Sequence, residues 1–354
     1  NSYDGRIHST YSPDTTSFRF ASTSPNLQQI PKTSCIRDVL GVSPDSGNIM
    51  MSQDFNSLEI VANLNISKDP FSLKLFELGL DDEHSINAIQ ASSASLKFNP
   101  LKGLDPLNPE DLKKVKEEFP LLRGKAKAIS FSMVYLGSPL GLKMSLECSE
   151  EESLGIYNAW WEAREGYKNW VNEMFQVFKT KKYSTSVGGL PILAEYTEDL
   201  EGIETLLDLF NEVNLQRRQG NKERADYLNL KVLKSFRTFI NFHGQASAVL
   251  TNLGMCRLMR WRKENSLNFK CVNTIHDDLV VEVPLQDLDL IWKKQKEFMT
   301  IPYLPDQTIQ MRTEAEVGYN LQYEVGKYER EGRLEILQKL NINSVNFNKT
   351  FDTI

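Results

Sequence analysis

Two adjacent carboxylates, Asp277 and Asp278, interrupt the apolar run of NTIHDDLVVEV (273–283), with His276 beside them. Valine-rich runs of this length read as strands, and a polar cluster between two of them reads as a tight turn. The spacing therefore predicts a β-hairpin with both acids at its tip. Two acids at one turn repel each other unless positive charge stands near them. A third carboxylate, Asp54 in NIMMSQDFNSLEIVANL (48–64), falls where a strand-like pattern turns helix-like. Hard divalent cations such as Mg²⁺ take carboxylates from rigid elements together with water and substrate phosphates. Two such ions about 3.5–4 Å apart clamp the attacking and leaving oxygens of a phosphoryl displacement. Aspartates end strands in many sheet proteins, so ordinary turns explain these residues equally well when they are taken alone.

A second group is Arg123, Lys127, Phe131 and Tyr135, four residues apart. On a helix that spacing returns nearly to one face, and twelve residues extend it over roughly 18 Å. The face passes from two cations to two aromatic rings, which suits a nucleoside triphosphate with its phosphates on the cations. An amphipathic helix with a basic end, its apolar face made by Ala126, Ile129, Met133 and Val134, fits the same residues. A third group, Arg237, Asn241 and Gln245, repeats the spacing with hydrogen-bonding side chains. Donors in such a row could meet the minor-groove acceptors common to every Watson–Crick pair, or simply face solvent. The loop SFRFASTSPNLQQIPK (17–32) says little by itself.

Length and composition frame the elements that must position these groups. At 354 residues, 40% hydrophobic and 25% charged, the chain has the make-up of an ordinary globular protein with more than one lobe. A net charge of −6 argues mildly against a protein that merely coats nucleic acid. The four cysteines are scattered, without a CxxC pair, which suits a reducing compartment and neither a zinc ribbon nor a disulfide framework. No run reads as a membrane span or a signal peptide. Residues 1–34 read as loops and short strands. A capped helix is predicted over 107–119, with Asn108 as N-cap and Pro109 at the first helical position, and Pro120 then starts a new one. A long helix follows over 149–179, capped by Ser149. The charged stretch 195–232 predicts a surface helical hairpin. A helix from 233 runs into the Asp277 hairpin, an amphipathic helix follows, and RTEAEVGYN makes a final strand. The fold class expected is α+β.

The order of the pieces is more specific than any one of them. DGRIHSTY…FRFASTSPNLQQIP, SQDFNSLEIVANL, EHSINA, RGKAKAISFSMVYLG, RTFINFHGQASA, TIHDDLVVEVP and EAEVGYN resemble, in that order, the polymerase region of family A DNA polymerases, from residue 4 to about 327. The resemblance implies a right-hand polymerase palm, an antiparallel sheet with helices, and a helical fingers insertion. The palm is expected over 1–77 and 235–354 with a C-terminal tail, and the fingers over 78–234. It implies template-directed addition of deoxynucleotides to a primer 3′-hydroxyl by two-metal phosphoryl transfer, with Mg²⁺ as the two ions and Mn²⁺ able to substitute. Asp54 and Asp277 match the metal-binding aspartates, with the Phe55 carbonyl a further ligand and Asp278 a supporting carboxylate. Glu59 matches the residue that excludes a 2′-hydroxyl. His84, Arg123, Lys127, Phe131 and Tyr135 match the incoming-nucleotide site. Arg19, Asn26, Gln28, Arg237, Asn241, Gln245 and His276 match contacts to primer–template DNA.

Departures from the family pattern are also visible. Asp278 stands for the usual Glu, Phe18 for a Gly before Arg19, which implies a different local loop, and Ser57 for a common Gln. Tyr135 is followed by Leu-Gly instead of Gly. Such drift suggests a phage or organelle enzyme. The opening NSYDGRIHS, without Met, suggests a piece of a longer or split polypeptide. A thumb and a proofreading exonuclease are then expected in a separate N-terminal part or another chain, with replication accessory proteins as further partners. A cytoplasmic setting in a bacterium or phage-infected host is expected, and no membrane. A single-subunit RNA polymerase shares the motif order, but Glu59 argues against it. A non-catalytic fragment would have no reason to keep Asp54, Asp277, Arg123 and Lys127 together.

Overall fold

The computed structural model describes residues 4–15, 18–43, 46–80, 82–186, 189–323 and 326–328, apart from the Phe131 side chain. The expected tail from 329 onward lies outside the described residues. The chain divides into two compact units. One comprises Asn1–Ala62, Ser186–Leu190 and Phe242–Ile354, the other Asn63–Thr185 and Pro191–Asn241. Among the described residues the strands are β1 (Thr10–Ser12), β2 (Ala21–Thr23), β3 (Asn48–Phe55), β4 (Tyr183–Thr185), β5 (Pro191–Leu193), β6 (Lys270–Ile275), β7 (Asp278–Pro284), β8 (Thr313–Gly318) and β9 (Gly326–Lys327). None of the described helices is long and apolar enough to cross a membrane.

The first unit is built on an antiparallel sheet in the order β6-β7-β3-β8-β9. Strand residues alternate between faces, and the register decides which meet. Ile49, Met51 and Phe55 of β3 share a face with Leu279, Val281 and Val283 of β7 and with Ala315 and Val317 of β8, all buried. The helix Leu288–Met299 packs on the sheet through Leu288, Ile291 and Trp292, and its Gln295 amide donates to the Leu279 carbonyl at 2.7 Å. The opposite face carries Ser52, Asp54, Asp278, Glu314 and Glu316 in matched register. A short pair, β1 with β2, is joined to β6 by a Tyr11–Asn273 hydrogen bond.

The second unit is helical around one large apolar core that includes Phe98, Ile129, Trp160, Phe175, Phe178 and Phe236. Helices Pro109–Glu118 and Pro120–Val134 are separated at Pro120 as the sequence predicts, and Ser149 makes a full capping box with Glu152. Three expectations change. The stretch 149–179 is two helices, Glu150–Ala163 and Glu165–Thr180, because the backbone leaves helical geometry at Arg164 (φ −117°, ψ 56°). The helix predicted from 233 is likewise divided into Lys234–Gln245, a 3₁₀ turn Ala246–Ala248 and Val249–Glu264. The charged segment 195–232 is no surface appendage. Its helix Leu206–Arg218 and the π-helix Tyr227–Leu233 bury Leu206, Leu209, Phe210, Val213, Leu228 and Val232 in the core. The abundant charges conceal an apolar stripe at i, i+3, i+4 and i+7.

Asp69 joins two helix starts in this unit. Its carboxylate caps Pro70–Glu77 through the Ser72 amide at 2.9 Å and accepts the Gly166 amide at 3.0 Å at the start of Glu165–Thr180. Such close approach needs a glycine, since a Cβ on Gly166 would lie 2.6 Å from the Asp69 Cα. Gly166→Ala is therefore expected to destabilise the fold by about 1–3 kcal/mol. A lowered urea midpoint with unchanged slope checks this, and an unshifted midpoint contradicts it.

Candidate active site

The β6–β7 register pairs Ile275 with Asp278 and leaves His276 and Asp277 as a two-residue turn. Turns this short need a positive φ to match the strand twist, and His276 supplies it at +57°. Strand β7 then pairs with β3 so that Asp278 lies directly across from Asp54. The hairpin thus brings Asp277 and Asp278 to the end of β3 where Asp54 stands, in a local cluster that the sequence could only suggest.

The electrostatics of this cluster are one-sided. Asp54 is exposed, yet desolvation by the protein packed near its carboxyl group and then the Asp277 charge push it up to about 6. Asp278 is pushed up to about 7, first by burial and then by the Asp54 charge, although the Ser52 hydroxyl donates to its Oδ2 at 2.5 Å. Among the described residues, Asp278 Oδ1 has no hydrogen-bond partner and is shut off from solvent. The counter-charge is Arg19. Its Nη2 donates to Glu59 Oε1 at 2.7 Å and to Asp277 Oδ1 at 3.1 Å, so one guanidinium ties the hairpin tip to the first turn of the helix Leu58–Ser67.

Among the described residues no three His, Cys, Asp or Glu side chains converge on one point as a ready metal cage. Carboxylates gathered at one sheet end do fit a hard cation that completes its shell with water and phosphate oxygens. Asp54 and Asp277 are the residues that would hold it. Phe55 ends β3 beside Asp54 with its ring buried in the core.

The second unit gathers another set. Arg123 and Lys127 lie on the helix Pro120–Val134, and His84 on Glu83–Ala91. Arg123 forks onto Asp82 through Nε at 3.0 Å and Nη2 at 2.9 Å. His84 is held below its usual pKa by burial first, then by the charges of Arg123 and Lys127. Tyr135 is half exposed just beyond the same helix. The Phe131 backbone belongs to this helix, while its side chain lies outside the described residues.

Several residues expected at DNA are engaged within the chain. The Gln28 amide donates to the Phe20 and Thr274 carbonyls at 2.8 and 2.7 Å and accepts the Ser22 amide at 3.0 Å, fastening its loop to β6. Asn26 is exposed and caps the Gln28 amide at 2.9 Å. Arg237 donates to the Leu136 carbonyl at 2.8 Å. Asn241 and Gln245 are half-buried on the same helix but fall in different units, and His276 is exposed. Residues not singled out from the sequence include Asp82, which holds Arg123, and Glu314 and Glu316 beside Asp54. The i, i+2 spacing of the glutamates gives them one face, but only the β3–β8 register says which.

A sheet with paired carboxylates at its end and a helical unit with a basic helix is a polymerase-domain fold. The POL domain of Pol1 from M. smegmatis, solved in complex with DNA primer-template and dNTP, shares it with a TM-score of 0.66 at 21% identity, over 91% of this chain and 49% of that one. The profile of DNA polymerase family A matches residues 1–323, and the chain belongs to that family. It is 26% identical over 297 residues to the DNA polymerase I of Caldicellulosiruptor bescii, covering 82% of this chain and 29% of that protein. Its identity to the DNA polymerase I of Streptococcus pneumoniae serotype 4 is 27% over 316 residues, covering 86% of this chain and 31% of that protein. The chain thus spans about three tenths of the length of these relatives.

The raised pKa of Asp278 has a consequence for stability. The folded state holds this proton more tightly than the unfolded state does. Its contribution is therefore full below about pH 4 and is lost as pH rises through about 7. In chelator-treated protein, Asp278→Asn should raise Tm, and the gain over wild type should be larger near pH 8 than near pH 5. A gain that is equal at both, or that shrinks with pH, contradicts the assignment.

Proposed function

We propose that this chain carries the palm and fingers of a template-directed DNA polymerase that adds deoxynucleotides to a primer 3′-hydroxyl. The palm comprises 1–77 and 235–354 and the fingers 78–234, a division near to that of the two units, whose limits fall at Ala62 and Phe242. The observation that carries the reading is the β3–β7 register, which sets Asp54 and the hairpin-tip Asp277 at one end of one sheet. Asp54 and Asp277 would hold Mg²⁺, or Mn²⁺ in its place, with the Phe55 carbonyl as a further ligand and Asp278 behind, and the ions would supply charge neutralisation for phosphoryl transfer. Arg123, Lys127 and His84 take the polyphosphate, and Phe131 and Tyr135 take sugar and base. The primer 3′-hydroxyl gives up its proton to solvent and its oxygen forms a bond to the α-phosphorus as the bond to the β-phosphate oxygen breaks, and pyrophosphate leaves. Chemistry of this kind needs positioning and charge more than a covalent partner. Glu59, fixed by Arg19 at 2.7 Å, excludes a ribose 2′-hydroxyl. His276 meets the primer end, and Arg19, Asn26, Gln28, Arg237, Asn241 and Gln245 line the duplex path. The relatives' names and the neighbour's bound primer-template and dNTP support this reading.

Primer extension by the chain on a primed DNA template with Mg²⁺ and dNTPs is the test. Asp277→Ala should lower the rate by roughly a thousandfold or more, with the fold intact by circular dichroism. Failure of the wild-type chain to extend or to bind primed DNA, or full activity of the variant, would overturn the proposal. Replacing Glu59 with Ala should raise ribonucleotide incorporation roughly tenfold or more relative to dNTPs; an unchanged ratio removes Glu59 from sugar selection.

A further inference from the structure

His84 is backed by a chain of polar side chains that ends in a buried cation. Arg164, at the break between two helices, is only 3% exposed, with its guanidinium 4.5 Å from the Trp160 ring centre and 5.2 Å from that of Phe71. Its edges meet one face of the helix Glu83–Ala91: Nη1 donates to Gln90 Oε1 at 2.9 Å, and Nη2 to Glu83 Oε2 at 3.2 Å and Asn87 Oδ1 at 3.3 Å. Asn87 Nδ2 donates to Ser130 Oγ at 2.8 Å, and Ser130 Oγ lies 3.0 Å from His84 Nδ1. Asn87 and Ser130 are buried.

The donors and acceptors in this chain can be assigned in sequence. An arginine only donates, so the Asn87 carbonyl oxygen must face it and the Asn87 NH₂ group must face Ser130. The Ser130 oxygen is then already an acceptor. Its single proton goes to His84 Nδ1 at 3.0 Å or back along the helix to the Ala126 carbonyl at 3.3 Å. The shorter contact favours His84, and the Ala126 carbonyl already lies within reach of the helix's own i+4 amide. With Nδ1 accepting, a neutral His84 carries its proton on Nε2.

We infer that Arg164, Asn87 and Ser130 are positioning residues that keep His84 in the Nε2–H form, so that it donates to an incoming nucleotide's polyphosphate without needing to be protonated. This rests on the reading of His84 as a nucleotide contact. The relay spans two helices and ties the orientation of a site residue to a cation in the core of the same unit.

Long-range ¹H–¹⁵N spectra of the histidine-labelled 354-residue chain test it directly, since there are only four histidines in it to assign. Wild-type His84 should show a protonated Nε2 and an unprotonated Nδ1. Asn87→Asp is nearly isosteric and can still pair with Arg164, but its carboxylate accepts the Ser130 proton. His84 should then switch to the Nδ1–H form, with the dNTP KM rising about tenfold and kcat little changed, as loss of a hydrogen bond to a charged group implies. Ser130→Ala should leave a tautomer mixture and an intermediate KM. A wild-type Nδ1–H form, or a tautomer unmoved by Asn87→Asp, overturns the relay whatever the kinetics. His84→Ala with unchanged dNTP KM overturns instead the role of His84 at the nucleotide, and with it the purpose of the relay. The spectra need no catalysis, so the two failures are distinguishable.

Discussion

The antiparallel pairing of β7 with β3 forces like charges together, and much of the first unit can be understood as the way the fold tolerates that. Asp54 and Asp278 are directly opposed across the ladder, a position where like charges destabilise a sheet. Asp277 follows at the turn. A sheet optimised for stability alone would place an apolar or oppositely charged pair there. The strands hold because the other face of the same residues' neighbours, Met51, Phe55, Leu279 and Val281, is fully committed to the core. A one-residue slip of β7 would expose that face. Burial of the apolar face thus sets the position of the carboxylates, and desolvation, with charge repulsion added, leaves Asp54 and Asp278 with raised proton affinity.

Arg19 occupies the resulting field in the manner of a replaceable cation. It reaches both Asp277 and Glu59 from a loop whose backbone is itself constrained: Phe18 has φ +59° and sets its ring edge-on to Phe242 at 6.0 Å. Phe18 stands where the family pattern has Gly, and its backbone takes the left-handed conformation that a glycine favours, with the aromatic contact offsetting the strain. The end of the helix Pro120–Val134 repeats the theme. Leu136 takes φ +54° in a Schellman closure, with the Gly137 amide on the Ser132 carbonyl at 2.6 Å and the Leu136 amide on Met133 at 3.1 Å. Its side chain is fully buried, so leucine can occupy a position that usually asks for glycine.

What was legible in the sequence follows from how local each signal is. The Asp277 hairpin, the strand-to-helix change at Asp54, the Asn108 and Ser149 caps and the break at Pro120 all rest on contacts within a few residues, and the structure has them. The four-residue step of Arg123 and Lys127 on one helix survives for the same reason, while Tyr135 falls just past the helix end at Val134. Signals that depend on distant partners were lost. Near Arg164 the sequence offers only Gly166 as a sign of the break, and the partners met there, Asp69, Glu83 and Asn87, come from far upstream. The charge density of 195–232 masked an apolar stripe that only the core gives meaning to. Nor does the sequence near Gln28 and Arg237 show that they also bond backbone carbonyls of remote segments, Thr274 and Leu136.

Asp278 shows how one methylene can change a residue's place in a site. A longer acid at this register position could extend past Ser52 toward the sheet end. The aspartate instead keeps Oδ2 on the Ser52 hydroxyl and Oδ1 enclosed. The Asp54 charge then acts on Asp278 through space and adds to the burial that raises its proton affinity. A cation at Asp54 and Asp277 would relieve both at once, since neutralising Asp54 removes the repulsion felt by Asp278. Binding of the ion and ionisation of a buried neighbour are therefore one coupled event, and the shorter side chain strengthens that coupling by keeping the neighbour out of solvent.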